Sequence, residues 1–310
     1  MARQEADIHS ESVPAPGAPA ASNMVELNGH LYDPSGKIFV ANDASEHHRC
    51  RLQHQILKDC LNGNLMATKL PPDVAMIVDV GTGIGQWAAE VAQQYPKAQV
   101  IGMDISKVQD TPVPDNVSFE IHDVEDPWNC EPNSVDFVHI RDVTGGIHDW
   151  LALVRQAYKS LKPGGQLEMT ETRAKFFDFD GTFGETGTFF VEFENIYLEL
   201  ASKTGMDWDP VPSSPDWLNE AGFEKIVQRS EIMPIGSWPK DAKLKKKAMD
   251  FTNMWNDGGW ETKTARLFTT CGWEFSDFRS LLDRVKKETA DSGVKAYATV
   301  VFTTARKPKR

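Results

Sequence analysis

Apolar and polar positions follow two different periods along the first two-thirds of the chain. Short apolar runs at Ala75–Val80, Gln99–Met103, Val117–Ile121, Val135–Ile140 and Gln166–Thr170 predict strands. Between them lie helical segments, after the first, second and fourth strands. The fourth crossover carries Trp150, Val154, Ala157 and Leu161 on one stripe, and LKPGG ends it. Upstream, Leu52, Ile56 and Leu61 share one side of a helix over Ala44–Leu65. Alternation of this kind implies a parallel sheet with helices on both faces and ligands at the carboxyl ends of the strands. The final third breaks the rhythm. Phe189, Phe190, Phe193, Ile196, Tyr197 and Leu200 make a wide helical stripe, and Ser214-Pro215 reads as an N-cap followed by proline, with Gly222 closing that helix. Two late strands, Phe223–Gln228 and Ala296–Thr304, flank about seventy aromatic-rich residues. The last is expected to enter antiparallel. No internal repeat is present.

Composition narrows the class. At 310 residues with 40% hydrophobic content the chain can bury a large core. A formal net charge of −12 gives no basic footprint for phosphate backbones, so nucleic acid is excluded as a direct substrate. No apolar run approaches the ~18 residues of a membrane span, and MARQEADIHSES lacks a signal-peptide core, so no membrane is expected. Cys50, Cys60, Cys130 and Cys271 have no paired spacing, which fits reduced thiols and a cytoplasmic location, or a nuclear one if the terminal RKPKR is a signal. Residues 1–24 are rich in Ala, Pro and Ser and are expected to be a disordered tail.

The chemistry centres on VDVGTGIGQW, residues 78–87. Gly81, Gly83 and Gly85 form a tight strand-to-helix turn whose backbone can approach a ligand closely. The third glycine comes one residue earlier than a dinucleotide fold wants, and Gln86 holds its place, which disfavours NAD. Asp104 ends the second strand in VIGMDIS, where an acid would accept from two ribose hydroxyls; a capping Asp would look the same. Asp123 and Val124 follow the third strand, where a side-chain acceptor and a backbone amide would read an adenine edge, unless they form a surface turn. His47, Cys50 and His54 share a helix face, but no fourth ligand with suitable spacing follows, so no metal is expected.

Taken together, DVGTGIG, GMDIS, Asp123, VDFVHIRDV and LKPGGQLEM resemble the successive motifs of class I S-adenosylmethionine-dependent methyltransferases. SEHHRCRLQHQIL, FVHIRDVTGGIHDW, PIGSWPKDAKLK and YATVVFTTARKP are similar in order and spacing to the LaeA-like fungal methyltransferases, from about Asn28 to Pro308. Ile84, where family members usually have Thr, and the segment around Tyr32 depart from the pattern. The resemblance implies a Rossmann-like α/β fold with a seven-stranded, mostly parallel sheet, its last strand antiparallel. Residues 25–310 would form the methyltransferase domain, with a helical cap from 44–70, 176–212 and 236–292. S-adenosylmethionine is the implied cofactor, held by Gly81, Thr82, Gly83, Gly85, Asp104, Ile105, Asp123, Val124 and Arg141. Arg141 would meet the methionine carboxylate or form a structural ion pair. His148 and Glu171, near the ends of the fourth and fifth strands, are candidate general bases, with a surface helix turn and a packing carboxylate as their alternatives. Trp255, Trp260 and Trp273, with Phe251, Phe268 and Phe275, either pack a core or wall a pocket for a small apolar or aromatic acceptor. The implied activity is O-methylation in fungal secondary metabolism. Two rivals stand beside it: a regulator of secondary-metabolite gene expression, and a protein that retains the cofactor while catalysing a different rearrangement.

Overall fold

A hairpin opens the computed structural model, which describes residues 24–106, 113–181, 183, 188–290 and 293–309. Strands β1 (Val25–Leu27) and β2 (His30–Tyr32) pair antiparallel around Asn28-Gly29. Both turn residues have positive φ, which is what a two-residue hairpin turn of this hand requires. Helix α1 (Ala44–Cys60) starts where the Asp43 carboxylate accepts from the Ser45 and Glu46 amides. The alternating region follows: β3 (Met76–Val80), α2 (Gln86–Gln94), β4 (Gln99–Asp104), β5 (Val117–Ile121), β6 (Val135–Arg141), α3 (Trp150–Ser160) and β7 (Leu161–Thr172). The last third holds β8 (Phe177–Asp178), α4 (Phe189–Ser202), α5 (Ser214–Ala221), β9 (Glu224–Pro234), α6 (Ala242–Met254), α7 (Trp260–Thr270), α8 (Phe275–Ala290) and β10 (Ala296–Arg306), with a π-helical turn at Trp255–Gly259 joining α6 to α7.

The sheet runs β5-β4-β3-β6-β7-β10, with the first five strands parallel and β10 antiparallel to its neighbours. β9 takes the far edge of β10, while the two-residue β8 continues the line of β7 along its near edge. The sheet is therefore the expected mostly parallel one with a late antiparallel strand, extended to eight strands by β8. The chain leaves β3 toward β4 on one side and returns to β6 on the other. That reversal opens a crevice at the carboxyl ends of the strands.

Three differences from the sequence reading are local. The α5 N-cap is Ser213, one residue before Ser214, whose hydroxyl instead donates to the Val211 carbonyl. Leu161 begins β7 rather than ending α3, yet stays in the same core cluster as Trp150, Val154 and Ala157. The helix expected after β4 falls largely on residues outside the described set, as does the expected tail apart from Met24.

Two apolar clusters cover the sheet faces: Trp87, Ala88 and Val91 of α2 on one, Leu153, Val154 and Ala157 of α3 on the other. A third gathers α1, α4, α6, α7 and α8 around Phe193, Trp260, Phe268 and Phe278. Burying each large side chain there is worth about 1.5–3 kcal/mol. This helical layer stands beside the carboxyl ends of β6 and β7, and so frames the crevice. All four cysteines are free thiols, and no helix among the described residues is long and apolar enough to cross a membrane.

Candidate active site

The turn after β3 passes through positive φ at Gly81, Gly83 and Gly85. A Cβ at Gly81 would stand 2.4 Å from Val143 Cγ1, so this glycine is needed for packing. A Cβ at Gly83 would have no described protein atom within 4 Å, so the space before it is open to a ligand. Asp104, at the end of β4, braces this turn: Oδ2 accepts from the Gly83 amide at 2.8 Å and Oδ1 from the Ser106 amide at 3.1 Å. Burial pushes its carboxyl up to about 6, against the pull of those two hydrogen bonds. Beneath the turn the Thr82 hydroxyl donates to Asp79 Oδ2, Asp79 Oδ1 lies 2.7 Å from His139 Nδ1, and the His139 ring stacks on Trp87 at 3.7 Å. This layer fixes the loop from below.

A cavity of about 1260 Å³ lies over the turn, lined by Gly81, Thr82, Gly83, Asp104, Ile105, Asp123, Val124 and Arg141. Gly85, the remaining expected residue, is the left-handed N-cap of α2 and does not line it. Lys37 pairs with Asp123 from the segment after β2. Arg141 is desolvated, which lowers its pKa, and its Nη1 lies 3.3 Å from His54 Nδ1. Burial and the Arg141 charge in turn push His54 down to about 4, despite Glu90 Oε1 at 3.0 Å.

Two further residues line this cavity with buried polar atoms that have no hydrogen-bond partner among the described residues, Gln86 Oε1 and Arg49 Nη1. An unsatisfied buried acceptor or donor is costly. An amino-acid group supplies what each lacks: its ammonium suits Gln86 and its carboxylate suits Arg49. Gly83, Asp104, Gln86 and Arg49 thus fit S-adenosylmethionine, whose ribose and methionine portions need such partners.

A second cavity, of about 880 Å³, lies toward the helical layer. Phe176, Phe193, Tyr197, Trp208, Phe251, Trp255 and Trp260 wall it, with Trp255 and Trp260 rings 4.8 Å apart. Trp273 does not reach it; that ring packs edge-on against Phe268, which belongs to the core, and Phe275 packs half-buried against the same cluster. Glu171, at the end of β7, faces this cavity and accepts from the Val143 amide and the Thr144 hydroxyl, both at 2.9 Å. Burial, reinforced by the charge of Asp142, pushes its carboxyl up to about 7.

Asp142, Thr144 and Lys263 line both cavities. Asp142 follows β6 with φ +56, an uncommon conformation for a non-glycine residue. Its Oδ2 meets Arg49 Nη2 at 2.8 Å and Lys263 Nζ at 3.3 Å. Burial alone would raise Asp142, but the two cations outweigh it and hold the carboxyl down at about 2.

His148 is placed elsewhere. Its side chain is 45% exposed, its Nδ1 lies 3.0 Å from Glu125 Oε2, and it lines neither cavity. Glu125 also accepts from the His148 and Asp149 amides, so it orders the turn before α3. The His148 side chain thus sits at the surface, held by Glu125. His47, Cys50 and His54 turn to Asn42, Glu46 and Glu90 respectively, and no metal-binding group of three or more His, Cys, Asp or Glu occurs among the described residues. The candidates read from the sequence do not include Arg49, Gln86, Asp142 or Lys263, which the fold brings to the walls of these cavities. Arg49, Gln86 and Asp142 lie inside SEHHRCRLQHQIL, VDVGTGIGQW and VDFVHIRDV, whereas Lys263 lies in none of these motifs.

The family model described as a methyltransferase domain matches residues 46–228. Methyltransferase pytC of Aspergillus terreus is 34% identical over 280 residues, covering 88% of this chain and 84% of its own length. The secondary metabolism regulator LAE1 of Cochliobolus heterostrophus is 28% identical over 316 residues, 97% of this chain and 99% of that one. Among solved structures, phosphoethanolamine N-methyltransferase 2 of Haemonchus contortus in complex with S-adenosyl-L-methionine has a TM-score of 0.45 at 20% identity, over 82% of this chain and 51% of that one. The family match starts in α1, runs through the glycine turn, Asp104, Asp142 and Glu171, and ends in β9, and on that extent the chain belongs to the methyltransferase-domain family.

Proposed function

We propose that this S-adenosylmethionine-dependent methyltransferase transfers the methyl group to an oxygen of a small, largely apolar acceptor in fungal secondary metabolism. The observation that carries the reading is the pair of cavities meeting at Asp142, Thr144 and Lys263. One cavity has donors and acceptors for a nucleoside and an amino acid; the other has aromatic walls and the carboxylates of Asp142, Glu171 and Glu194. The cofactor, when bound, supplies an electrophilic methyl group. The protein's part is alignment, and good positioning alone is worth roughly 7–11 kcal/mol.

Within this reading Arg49 holds the amino-acid carboxylate, Gln86 its ammonium, and Asp104 the ribose. Trp255 and Trp260 orient the acceptor body and exclude water. Glu171 receives the hydroxyl proton, since a carboxyl raised to about 7 is poised for that transfer near neutral pH. A cytoplasmic location and the cap role of α1, α4, α6, α7 and α8 belong to the same proposal.

The test supplies purified protein with methyl-labelled S-adenosylmethionine and an extract of the producing organism. Label on a small apolar molecule, at oxygen by fragmentation, supports the reading. Label on protein alone, or none with cofactor bound, favours a regulator like the one the LAE1 likeness points to.

A further inference from the structure

Lys263 projects from α7 into the junction between the cavities with its side chain 11% exposed. An ammonium carries three donors. Among the described residues its one ion-pair contact is Asp142 Oδ2 at 3.3 Å, and Nζ makes no hydrogen bond. Arg49 holds the same Asp142 oxygen at the shorter 2.8 Å. A buried, under-coordinated cation therefore faces the place where a methyl group must cross.

We propose that Lys263 is a catalytic residue that binds the acceptor oxygen as it becomes anionic, and that the acceptor is an acidic hydroxyl, a phenol or enol, on a flat aromatic body.

This rests on the methyltransferase reading above and names the substrate class of that site. The other charged groups of the acceptor cavity are occupied or of the wrong sign. Arg173 is forked onto Asp209 at 2.8 and 2.9 Å, Lys175 lies over the Phe177 ring, and Glu194 accepts from the Phe176 amide. Glu171 and Asp142 both oppose a carboxylate acceptor, which would bring a further negative charge beside them. A hydroxyl avoids that. Its proton passes to Glu171, its oxygen takes the methyl carbon, and the carbon–sulfur bond breaks with its electron pair returning to sulfur. Lys263 stays charged throughout and partners the oxygen while that oxygen is an anion. Tyr197, Trp208 and Trp260 suit a flat ring better than an aliphatic chain.

The test needs no turnover. Bound to the wild-type protein, 4-nitrophenol should ionise at least about one pH unit lower than in Lys263→Met, as an adjacent opposite charge requires. Its visible phenolate absorbance reads this directly. Lys263→Arg should restore most of the shift, and Lys263→Gln, which also removes the charge, serves if the Met variant fails to fold. Equal ionisation in wild type and a folded Lys263→Met overturns the proposal. So does tenfold tighter binding of 4-nitrobenzoate than of 4-nitrophenol, or binding of neither probe. Calorimetry of S-adenosylmethionine separates the two levels: loss of cofactor binding to the wild type would count against the methyltransferase reading itself, whereas intact cofactor binding with failed probes counts against Lys263 alone.

Discussion

Arg49 in α1 and Asp142 at the end of β6 are joined by a 2.8 Å ion pair across 93 positions of sequence. The guanidinium also forks onto Glu46, at 2.9 and 2.7 Å. Burial works against its charge, yet Glu46 and Asp142 raise its pKa well above the ordinary value. One side chain therefore ties the first helix to the strand end where the two cavities meet.

Removing Arg49 should leave two buried carboxylates without their main partner. Arg49→Met is expected to destabilise the fold by about 3–5 kcal/mol, the cost of breaking a buried pair from one side. Urea denaturation measures it. A change within 0.5 kcal/mol, the ordinary range for surface substitutions, would show that Arg49 does not hold α1 to the sheet.

Asp104→Ala should weaken S-adenosylmethionine binding about a hundredfold or more. Two charge-assisted hydrogen bonds at roughly 1.5–3 kcal/mol each would be lost. Calorimetry on a folded variant decides it, and unchanged affinity would remove Asp104 from the ribose site.

Gly81 and Gly83 should separate packing from binding. Gly81→Ala meets Val143 at 2.4 Å and is expected to lower stability, whereas Gly83→Ala meets only ligand space and left-handed strain, roughly 1–2 kcal/mol. Gly83→Val should abolish cofactor binding by sterics while remaining folded. Thermal unfolding with and without cofactor distinguishes the two; full affinity in Gly83→Val would refute the placement.

Glu171 sets an opposite pH trend for activity and stability. Its carboxyl is raised from an ordinary 4.5 to about 7 in the folded chain. Its protonation stabilises the fold fully below 4.5, and that contribution is lost as pH rises through about 7. Glu171→Gln lacks this loss, so its melting temperature should gain on the wild type between those values. Turnover runs the other way: in the wild type it should rise toward a plateau above pH 7, and in Glu171→Gln it should fall by about 10²-fold or more with the pH dependence flattened. A pH-independent difference in melting temperature would contradict a raised Glu171.

The readable and unreadable parts of this molecule divide by how local their causes are. β3, the glycine turn and α2 can be read because an apolar run, three glycines and a helical stripe lie within twenty residues, and Asp104 follows from strand periodicity. The late antiparallel β10 follows from one strand-like run after a long irregular stretch, but β8 is too short for any period to mark. His148 looks catalytic because it follows β6 closely in sequence; only in three dimensions does Glu125 hold its ring outward. Lys263 shows the converse. On the helix it is one charge between Thr262 and Thr264, with no local sign that β6 arrives beside it. Trp255 and Trp260, on either side of the π-helical turn where Gly258 has φ +113, reach the cavity, while Trp273, beyond α7, packs half-buried against Phe268.

The central claim is that the methyl group crosses at Asp142, Thr144 and Lys263. A crystal structure with bound S-adenosylhomocysteine tests it most directly, because the sulfur marks the point of departure. The sulfur should lie against these residues, with the amino-acid carboxylate on Arg49, the ammonium on Gln86 and the open side of the sulfur turned toward Glu171 and the aromatic cavity. A sulfur remote from Asp142 and Lys263, or turned away from the cavity walled by Trp255 and Trp260, would contradict the account.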